Sequence, residues 1–173
     1  MPESYRPHLR KDDEDERTVT QSIDTNVSTK HATVQNILDR KGGTVFSIRP
    51  QDTLHKAVEI LRDQRIGALV VTDATGALQG ILSERDIVRK LADAPGRTLP
   101  HKVEDIMTRD VVVATPDEPL VTVLQRMTKG RFRHMPVVAS NELVGMITIG
   151  DVVQYRLNEL EHEALQIKQL IVG

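Results

Sequence analysis

Apolar positions in this chain recur in two stretches that share one order. Gln64–Val88 reads QRIGALVVTDATGALQGILSERDIV, and Lys129–Val153 reads KGRFRHMPVVASNELVGMITIGDVV. Each stretch contains a short apolar strand, a polar turn, a second apolar strand and the beginning of a helix, with one residue fewer in the second hairpin. Self-similarity at a fixed spacing is the signature of a repeated supersecondary unit, so the chain is predicted to be built twice.

The repeat extends from each hairpin towards the N-terminus. SIRPQDTLHKAVEILRDQRIG aligns with VATPDEPLVTVLQRMTKGRFR, and VQNILDRKGGTVFSI aligns with VEDIMTRDVVVA when Lys41, Gly42 and Gly43 are treated as a loop insertion. Alternating apolar residues predict strands, and apolar residues three and four apart predict helices. The predicted order is therefore β-α-β-β-α in both units, after a short helical turn at Val34–Leu38.

Turn residues separate the predicted elements, as Pro50 does in the first unit and Pro95, Gly96 and Pro100 do between the units. In the first unit we expect strands at Thr44–Ile48, Ala68–Thr72 and Leu78–Leu82, and helices at Leu54–Arg62 and Glu84–Leu91. In the second unit we expect strands at Val111–Ala114, Met135–Ala139 and Leu143–Ile147, and helices at Leu120–Thr128 and from Gly150 onwards.

Two short units with one apolar face each bury too little surface to be stable separately. The sequence therefore predicts one pseudo-symmetric domain of the α+β class, with a helical extension at the C-terminal end. The predicted segments are an N-terminal arm at 1–32, a first repeat at 33–92, a linker at 93–102, a second repeat at 103–157 and the extension at 158–173.

The last predicted helix continues past the repeat to about Val172 and carries apolar residues at alternating spacings of three and four. This heptad seam consists of Val153, Leu157, Leu160, Ala164, Ile167 and Ile171. It is shorter than the three to four heptads expected of a free-standing coiled coil. It can pack on the protein's own surface or across a dimer, and we favour the dimer because the second unit already has its own helices.

Composition narrows the classes of protein. The absence of cysteine excludes disulfides, thiolate-bound zinc and thiol nucleophiles. A formal charge of −2 with two Tyr, two Phe and no Trp argues against a nucleic-acid surface. The histidines lack metal-ligand spacing, so no metal is expected. No glycine-rich phosphate loop and no nucleophile beside a base is apparent, so we do not expect an enzyme.

The N-terminal 32 residues show no sustained apolar period, and the block from Arg10 to Arg17 is almost wholly charged. Such a segment buries too little surface to offset its ordering entropy, so a mobile arm is expected, either a solvated tail or an interaction arm. The start of the chain lacks the pattern of a secretory signal, and no apolar run could cross a membrane. We therefore expect a cytoplasmic protein without a membrane partner.

Candidate chemistry lies where each hairpin passes into a helix. Ser83 precedes Asp86 by three residues, and Thr148 precedes Asp151 by the same spacing. One interpretation is a capping box, which requires only that a helix begins there. The other is a nucleotide site, because a carboxylate can accept two hydrogen bonds from a ribose diol and a helix start offers donors to phosphate. Two copies at equivalent places favour the second interpretation.

The repeat resembles the cystathionine-β-synthase (CBS) domain, and the whole of Val34–Leu157 resembles the stand-alone tandem CBS pair, or Bateman module. The resemblance is carried by the Gly-Ile-Leu-Ser-x-x-Asp and Gly-Met-Ile-Thr-x-x-Asp endings and by RHMPV at 133–137. It implies two repeats packed sheet to sheet, with adenosine nucleotides bound in clefts between them. It also implies ribose contacts from Asp86 and Asp151, and phosphate contacts near Ser83 and Thr148.

The resemblance further implies that the base lies against the backbone of the first strand of a unit and the residues entering the next. Those positions are Val45, Phe46, Ile48, Gly67, Ala68, Val112, Val113, Thr115, Met135 and Pro136. Arg131, Arg133 and His134 stand where the first repeat has Arg65, Gly67 and Ala68, so cationic donors suited to phosphate concentrate in the second repeat. These arginines could also belong to a solvated loop.

The sequence thus predicts a regulatory module that binds an adenine nucleotide, changes conformation or dimer geometry, and passes that state to an unknown effector protein. AMP is the leading ligand, with ATP, ADP and NAD(H) open and S-adenosylmethionine less expected. The resemblance implies a homodimer with helices at the interface. The alternative is a purely structural dimerisation module with empty clefts, and the rival from the enzyme class is a nucleotide hydrolase or transferase.

Overall fold

The computed structural model describes residues 32–172 of the chain. The predicted N-terminal arm lies outside the described residues except for its last position. The first half contains α1 (Val34–Lys41), β1 (Ser47–Ile48), α2 (Leu54–Gln64), β2 (Ala68–Thr72), β3 (Leu78–Ser83) and α3 (Glu84–Asp93). The second half contains a 3₁₀ turn (Val103–Asp105), α4 (Leu120–Gly130), β4 (His134–Ala139), β5 (Glu142–Thr148) and α5 (Ile149–Val172).

The strands form two small sheets, one in each half. In the first sheet β1 runs parallel to β2, with Ser47 opposite Val70, and β2 pairs antiparallel with β3. In the second sheet β4 pairs antiparallel with β5, with His134 opposite Thr148. The α+β class, the repeated hairpins and the C-terminal helix are therefore confirmed, while the predicted domain boundaries stay predictions.

The prediction of a strand at Val111–Ala114 is wrong, since only Ala114 forms an isolated parallel bridge, with Val137. The cause lies in β4. In the first sheet the Val70 N–H donates to the Phe46 carbonyl at 3.1 Å. Its counterpart Pro136 has no N–H to donate, so the equivalent ladder bond cannot form. The first strand is also shorter than predicted, because only Ser47 and Ile48 of Thr44–Ile48 are paired.

The two halves exchange their leading segments. α1 contributes Val34, Ile37 and Leu38 to the apolar core of the second half, whereas Val103 and Met107 belong to the core of the first half. Related backbone bonds fix both exchanges. Val34 N–H donates to Glu118 O at 3.0 Å on one side, and on the other Val103 N–H donates to Asp52 O at 2.9 Å. Each core is thus completed by the other repeat.

Leu82 and Ile147 lie at equivalent places in the two cores and are fully buried. Other fully buried large side chains follow the predicted apolar faces, among them Leu54 and Leu69 in the first half, and Leu120, Val123, Met127, Met135 and Val137 in the second. Burial of this kind stabilises the fold by about 1.5–3 kcal/mol for each large apolar side chain. The packing therefore ties the two halves into one unit.

Gly80 on β3 allows the exchanged segment of the second half to approach. A Cβ at this position would lie 2.8 Å from Thr108 O and 2.9 Å from Met107 Sδ. Thr108 cannot retreat easily, because it exchanges two backbone hydrogen bonds with Ile81, each 2.9 Å long. We expect Gly80→Ala to lower the free energy of unfolding by roughly 1–3 kcal/mol, as overpacking does.

Urea denaturation measures this change, and Gly145→Ala is the matched control. A Cβ at Gly145 would meet the end of the Leu38 side chain, 2.6 Å from Cδ2, which can rotate away. The control should therefore be the milder of the two. Equal losses would show that the backbone contact to Thr108 is not what makes Gly80 necessary.

α5 leaves the body of the protein after about its first three turns. Val152 is fully buried, but every described side chain from Leu160 to Ile171 is exposed. Within residues 32–172, the heptad seam therefore does not pack on the protein's own surface. Among the described residues, no helix combines the length and apolar character needed to cross a membrane.

Candidate functional site

The two candidate carboxylates lie at equivalent strand-to-helix junctions. At the end of β3, Asp86 Oδ2 accepts hydrogen bonds from Ser83 N (2.9 Å) and Ser83 Oγ (2.6 Å). At the end of β5, Asp151 Oδ2 accepts from Thr148 N at 2.8 Å, and Asp151 N donates to Thr148 Oγ1 at 3.1 Å. Both junctions are thus capped, as the capping interpretation expects.

Capping does not use the whole of either carboxylate. Within the described part of the chain, every hydrogen bond to Asp86 and Asp151 ends on Oδ2. Oδ1 of each therefore remains available to donors such as ribose hydroxyls. Holding the helix start and holding a diol are compatible tasks for the same side chain.

Lys41 at the end of α1 contacts the second of these carboxylates, with Nζ 2.6 Å from Asp151 Oδ2. Two glycines place it there. Gly42 caps α1 at a φ of 80°, a conformation that glycine adopts readily. A Cβ at Gly43 would lie 2.8 Å from Val144 O, so only glycine permits this approach to β5. The ion pair joins the first repeat to the second.

Sequence reasoning did not identify Lys41, because it lies in the segment treated as a loop insertion. The signal was nonetheless present. Lys41 and the two glycines after it form the segment by which the first repeat is longer than the second here. A basic residue followed by two glycines in such an insertion would have indicated it.

A cavity of about 150 Å³ lies beside Asp151, between α1 and α5. Arg40 lines it and stands 4.6 Å from the centre of the Tyr155 ring, within the range of a cation–π contact. The other lining residues are Ile37, Lys41, Gln154 and Asn158. The charged side chains of this lining are two cations and one acid.

A cavity of about 290 Å³ occupies the equivalent place beside Asp86. Its lining residues are Arg89, Lys90, Asp93, Asp105 and Ile106 in addition to Asp86. This lining has two cations and three acids, so its net charge is negative where that of the cavity at Asp151 is positive. Phosphate is therefore favoured at Asp151 and disfavoured at Asp86.

His134 at the start of β4 faces the equivalent strand of the first half. A Cβ at Gly67 would lie 3.1 Å from His134 Nε2 and 3.6 Å from Glu84 Oε2, so the three residues meet where β2 and β4 begin. Burial lowers the pKa of the imidazole below its ordinary value. The positive charges of Arg133 and Lys41 lower this pKa further, and the carboxylates of Glu84 and Asp151 oppose them. His134 thus belongs to the electrostatic surroundings of Asp151.

This lowered pKa predicts a pH dependence of stability. In the unfolded chain His134 takes up a proton below about pH 6.5, whereas in the folded protein it does so only at lower pH. Between those values the unfolded state binds more protons, so stability is present above about pH 6.5 and falls as the pH decreases. We expect the midpoint of thermal unfolding to drop between pH 7.5 and pH 5.5, and to drop less in His134→Gln.

The control is His162→Gln, which removes an exposed histidine from α5. It should keep the acid dependence of the unmodified protein over the same interval. If the two variants show the same dependence, His134 is not its source.

The predicted arginines lie on the turn between α4 and β4. Arg131 is exposed and ends α4 in the left-handed conformation, with a φ of 55°, and its carbonyl accepts a hydrogen bond from Arg85 Nη1 at 3.0 Å. Arg133 is exposed, and its carbonyl accepts from Ile149 N at 3.0 Å. The Arg131 carbonyl thus contacts α3 of the first repeat, and the Arg133 carbonyl contacts the start of α5 in its own repeat. A phosphate contact from either guanidinium stays a prediction.

The structure brings only some of the predicted base-contact residues to a surface. Ile48, Ala68, Met135 and Pro136 are buried, so any contact with a base would have to come from their backbone. Val45, Phe46 and Gly67 are half-buried, and Val112 is exposed.

Val113 and Val112 differ in what their carbonyl oxygens contact. Val113 O accepts a hydrogen bond from Arg126 Nη2 at 2.7 Å, and Arg126 also pairs with Glu118 at 2.6 Å. Val112 O has no donor among the described residues, since Pro136 lacks the N–H that would have paired with it. Of these two, Val112 O is the acceptor open to an adenine amino group. Nearby, Thr115 is exposed and its N–H donates to the Glu118 side chain at 3.4 Å.

A metal site would need several suitable side chains in one place. Across residues 32–172 the structure contains no group of three or more His, Asp or Glu side chains that could hold a metal ion.

Comparison with known proteins gives a consistent result. The family profile described as "CBS domain" matches residues 35–93 and again residues 103–158. The CBS domain-containing protein CBSX3, mitochondrial, of Arabidopsis thaliana is 33% identical over 82% of this chain and 72% of its own length. The crystal structure of the CBS-domain containing protein ATU1752 from Agrobacterium tumefaciens is 40% identical, covers 72% of this chain and 99% of its own, and superposes with a TM-score of 0.71.

A further solved structure contains ligands. The CBS domain pair of protein MJ0100, in complex with 5′-methylthioadenosine and S-adenosyl-L-methionine, is 29% identical. It covers 74% of this chain and 98% of its own, with a TM-score of 0.65.

Proposed function

This chain belongs to the CBS domain family, and from that premise we propose that it is a regulatory module whose cleft at Asp151 binds an adenine nucleotide, with AMP as the leading ligand. The observation that carries the proposal is the Lys41–Asp151 contact of 2.6 Å beside a cavity with an excess of cations. A ribose diol would bind Asp151 Oδ1, and the phosphate would lie among Lys41, Arg133 and His134.

The relatives support the adenosine part of the ligand, and the charges support the phosphate part. The MJ0100 pair binds two ligands that share an adenosine portion. The cleft of this chain has two cations, Arg40 and Lys41, but one carboxylate, Asp151. A ligand without phosphate would therefore leave an excess positive charge in the cleft. ATP, ADP and NAD(H) also have the required groups, and the cavity of about 150 Å³ would have to widen for AMP as well as for any of them.

The same contact provides a route from binding to a change of shape. Lys41 ends α1, the helix of the first repeat that packs in the core of the second, and Asp151 lies in the first turn of α5. A phosphate that takes Lys41 from Asp151 would change how α1 sits against α5. The free energy for such a shift can come only from a difference in ligand affinity between the two states. We propose that an effector protein binds preferentially to one of these two arrangements of α1 and α5.

Lys41→Met tests the phosphate contact separately from the adenosine contact. Methionine retains the apolar part of the side chain and removes the charge. We expect the affinity for AMP to fall by about tenfold, the size of one charge-assisted hydrogen bond, and the affinity for adenosine to remain unchanged. Isothermal titration calorimetry measures both. Equal losses for the two compounds would place Lys41 away from the phosphate.

The ligand itself is identified by a thermal-shift panel on protein stripped of any bound nucleotide, with AMP, ADP, ATP, NAD+, NADH and S-adenosylmethionine. A ligand at a hundred times its dissociation constant adds about 2.7 kcal/mol of stability. This corresponds to roughly 5 to 10 °C for a domain of this size. A shift with one or two of the adenine compounds supports the proposal. The absence of any shift contradicts it.

Two other functions make different predictions. An enzyme acting on the nucleotide would release a new product from ATP during prolonged incubation, and chromatography of the mixture would detect it. A purely structural dimerisation module is favoured by the exposed seam of α5, and it would dimerise equally well with and without nucleotide. The regulatory role of the family and the charge of the cleft favour sensing over both.

We also propose a homodimer with helices at its interface. Val88 on α3 and its counterpart Val153 on α5 are 63% and 46% exposed. On α4, Val121 is 51% exposed. Apolar side chains repeated on equivalent helix faces support burial against a second copy, since large exposed apolar patches commonly mark interfaces.

A further inference from the structure

The end of α5 has no packing partner among residues 32–172. The twelve residues from Leu160 to Ile171 are all exposed, so none of them gains stability from packing against this part of the chain. A helical segment of that length is marginal in water by itself. Its apolar residues therefore indicate a partner other than the described body of the protein.

Most of the exposed apolar residues form a seam with a defined heptad register, and Leu165 and Leu170 lie outside it. Val153, Leu160 and Ile167 occupy the d positions, and Leu157, Ala164 and Ile171 occupy the a positions. Leu157, Leu160, Ile167 and Ile171 are 50%, 53%, 57% and 78% exposed. Burying this seam requires a helix with a matching seam, and a second copy of α5 provides one.

The flanking charges select the direction in which two copies pair. In this register Arg156 and Glu163 are at g positions, and Glu161 and Lys168 are at e positions. In a parallel pair each g residue meets the e residue five positions further along the other helix. Arg156 then meets Glu161 of the second copy, and Glu163 meets Lys168 of the second copy. Every charged pair at the interface is attractive, and each occurs twice.

An antiparallel pair with full overlap of the seam brings like charges together. In that arrangement e positions face e positions, and g positions face g positions. Glu161 would lie beside Glu161 of the second copy, and Glu163 beside Glu163. Each is a like-charge contact, and Lys168 would face the uncharged Gln154. The two directions are thus distinguished by charge although they bury the same apolar residues.

From these contacts we infer that the α5 extensions of two copies form a parallel coiled coil over Val153–Ile171. The inference rests on the homodimer proposed above and specifies its geometry. A parallel pair brings the C-terminal ends of the two α5 helices together. It also holds the two Asp151 clefts at the same end of the dimer, because α5 begins at that cleft.

The native chain has no cysteine, so one introduced thiol gives an unambiguous cross-link. Ile171→Cys places it on the seam, and Gln169→Cys places it two residues away on the outer face. In a parallel pair of the Ile171→Cys variant the two introduced thiols meet, whereas in the antiparallel pair they lie about 27 Å apart along the helix axis, at 1.5 Å per residue. Mild oxidation and non-reducing electrophoresis measure the disulfide, and sedimentation velocity measures the dimer.

We expect cross-linking in Ile171→Cys and little in Gln169→Cys. Equal cross-linking in both variants overturns the register, since the helix ends would then touch without a seam. Cross-linking in neither variant, with the dimer intact, overturns the parallel coiled coil and leaves the homodimer standing. Cross-linking in neither variant with a monomer in sedimentation overturns both proposals.

Charge reversal tests the pairing without cysteine. Lys168→Glu turns two attractive contacts into repulsive ones and should weaken the dimer by roughly tenfold, because exposed ion pairs are individually weak. Combining it with Glu163→Lys should restore the affinity. Gln169→Glu adds a negative charge on the outer face and should have little effect. A double variant as weak as the single one would contradict the assigned pairs.

Discussion

Asp151→Asn should weaken the binding of AMP by about tenfold to a hundredfold while the protein stays folded. Asparagine keeps an oxygen that can accept from Thr148 N, so the start of α5 remains capped. It loses the negative charge that would hold the ribose hydroxyls, and hydrogen bonds to a charged group contribute about 1.5–3 kcal/mol. Calorimetric titration measures the affinity, and circular dichroism measures the fold.

Asp86→Asn is the matched control, because Asp86 caps its own helix in the same way. It stands beside a cavity whose lining has three acids and two cations, where an added phosphate meets repulsion. We expect AMP affinity to be unchanged in this variant. Equal weakening by the two substitutions would contradict the assignment of the nucleotide to the cleft at Asp151.

Val34→Asp should destabilise the second half of the protein although residue 34 lies in the first repeat. Val34 is fully buried in the core formed by α4, β4 and β5. An uncompensated charge there should lower the free energy of unfolding by about 3–5 kcal/mol, a large part of the stability of an ordinary domain. Hydrogen exchange measured by mass spectrometry should show faster exchange in β4 and β5 than in β2 and β3.

The converse substitution is Val103→Asp, since Val103 is fully buried in the core of the first half. Its effect should appear in β2 and β3. The exchange of leading segments is wrong if each substitution affects chiefly the hairpin of its own repeat.

The repeated hairpins were predictable from sequence because strand alternation and helix periodicity are local. Val111–Ala114 shows the limit of that reasoning. Its residues favour a strand, but whether a strand forms depends on donors in the neighbouring chain segment, and Pro136 supplies none. A property of the partner strand decided the outcome.

The exchange of α1 and the role of Lys41 could not be predicted in the same way. Apolar residues such as Val34 and Val103 are required by either core, so their pattern does not reveal which core they join. Lys41 reaches Asp151 across 110 positions of sequence, and only the approach of Gly43 to β5 brings them together. By contrast, the motif residues Asp86 and Asp151 lie at equivalent junctions because the repeat placed them there.

The nucleotide role of the cleft at Asp151 is tested most directly by a crystal structure of ligand-stripped protein soaked with AMP. We expect one nucleotide in each chain, with its ribose hydroxyls on Asp151 Oδ1 and its phosphate within hydrogen-bond distance of Lys41. We also expect the Lys41–Asp151 separation to grow from the 2.6 Å of the free protein. An AMP molecule beside Asp86, or a cleft at Asp151 that stays empty at saturating AMP, would contradict it.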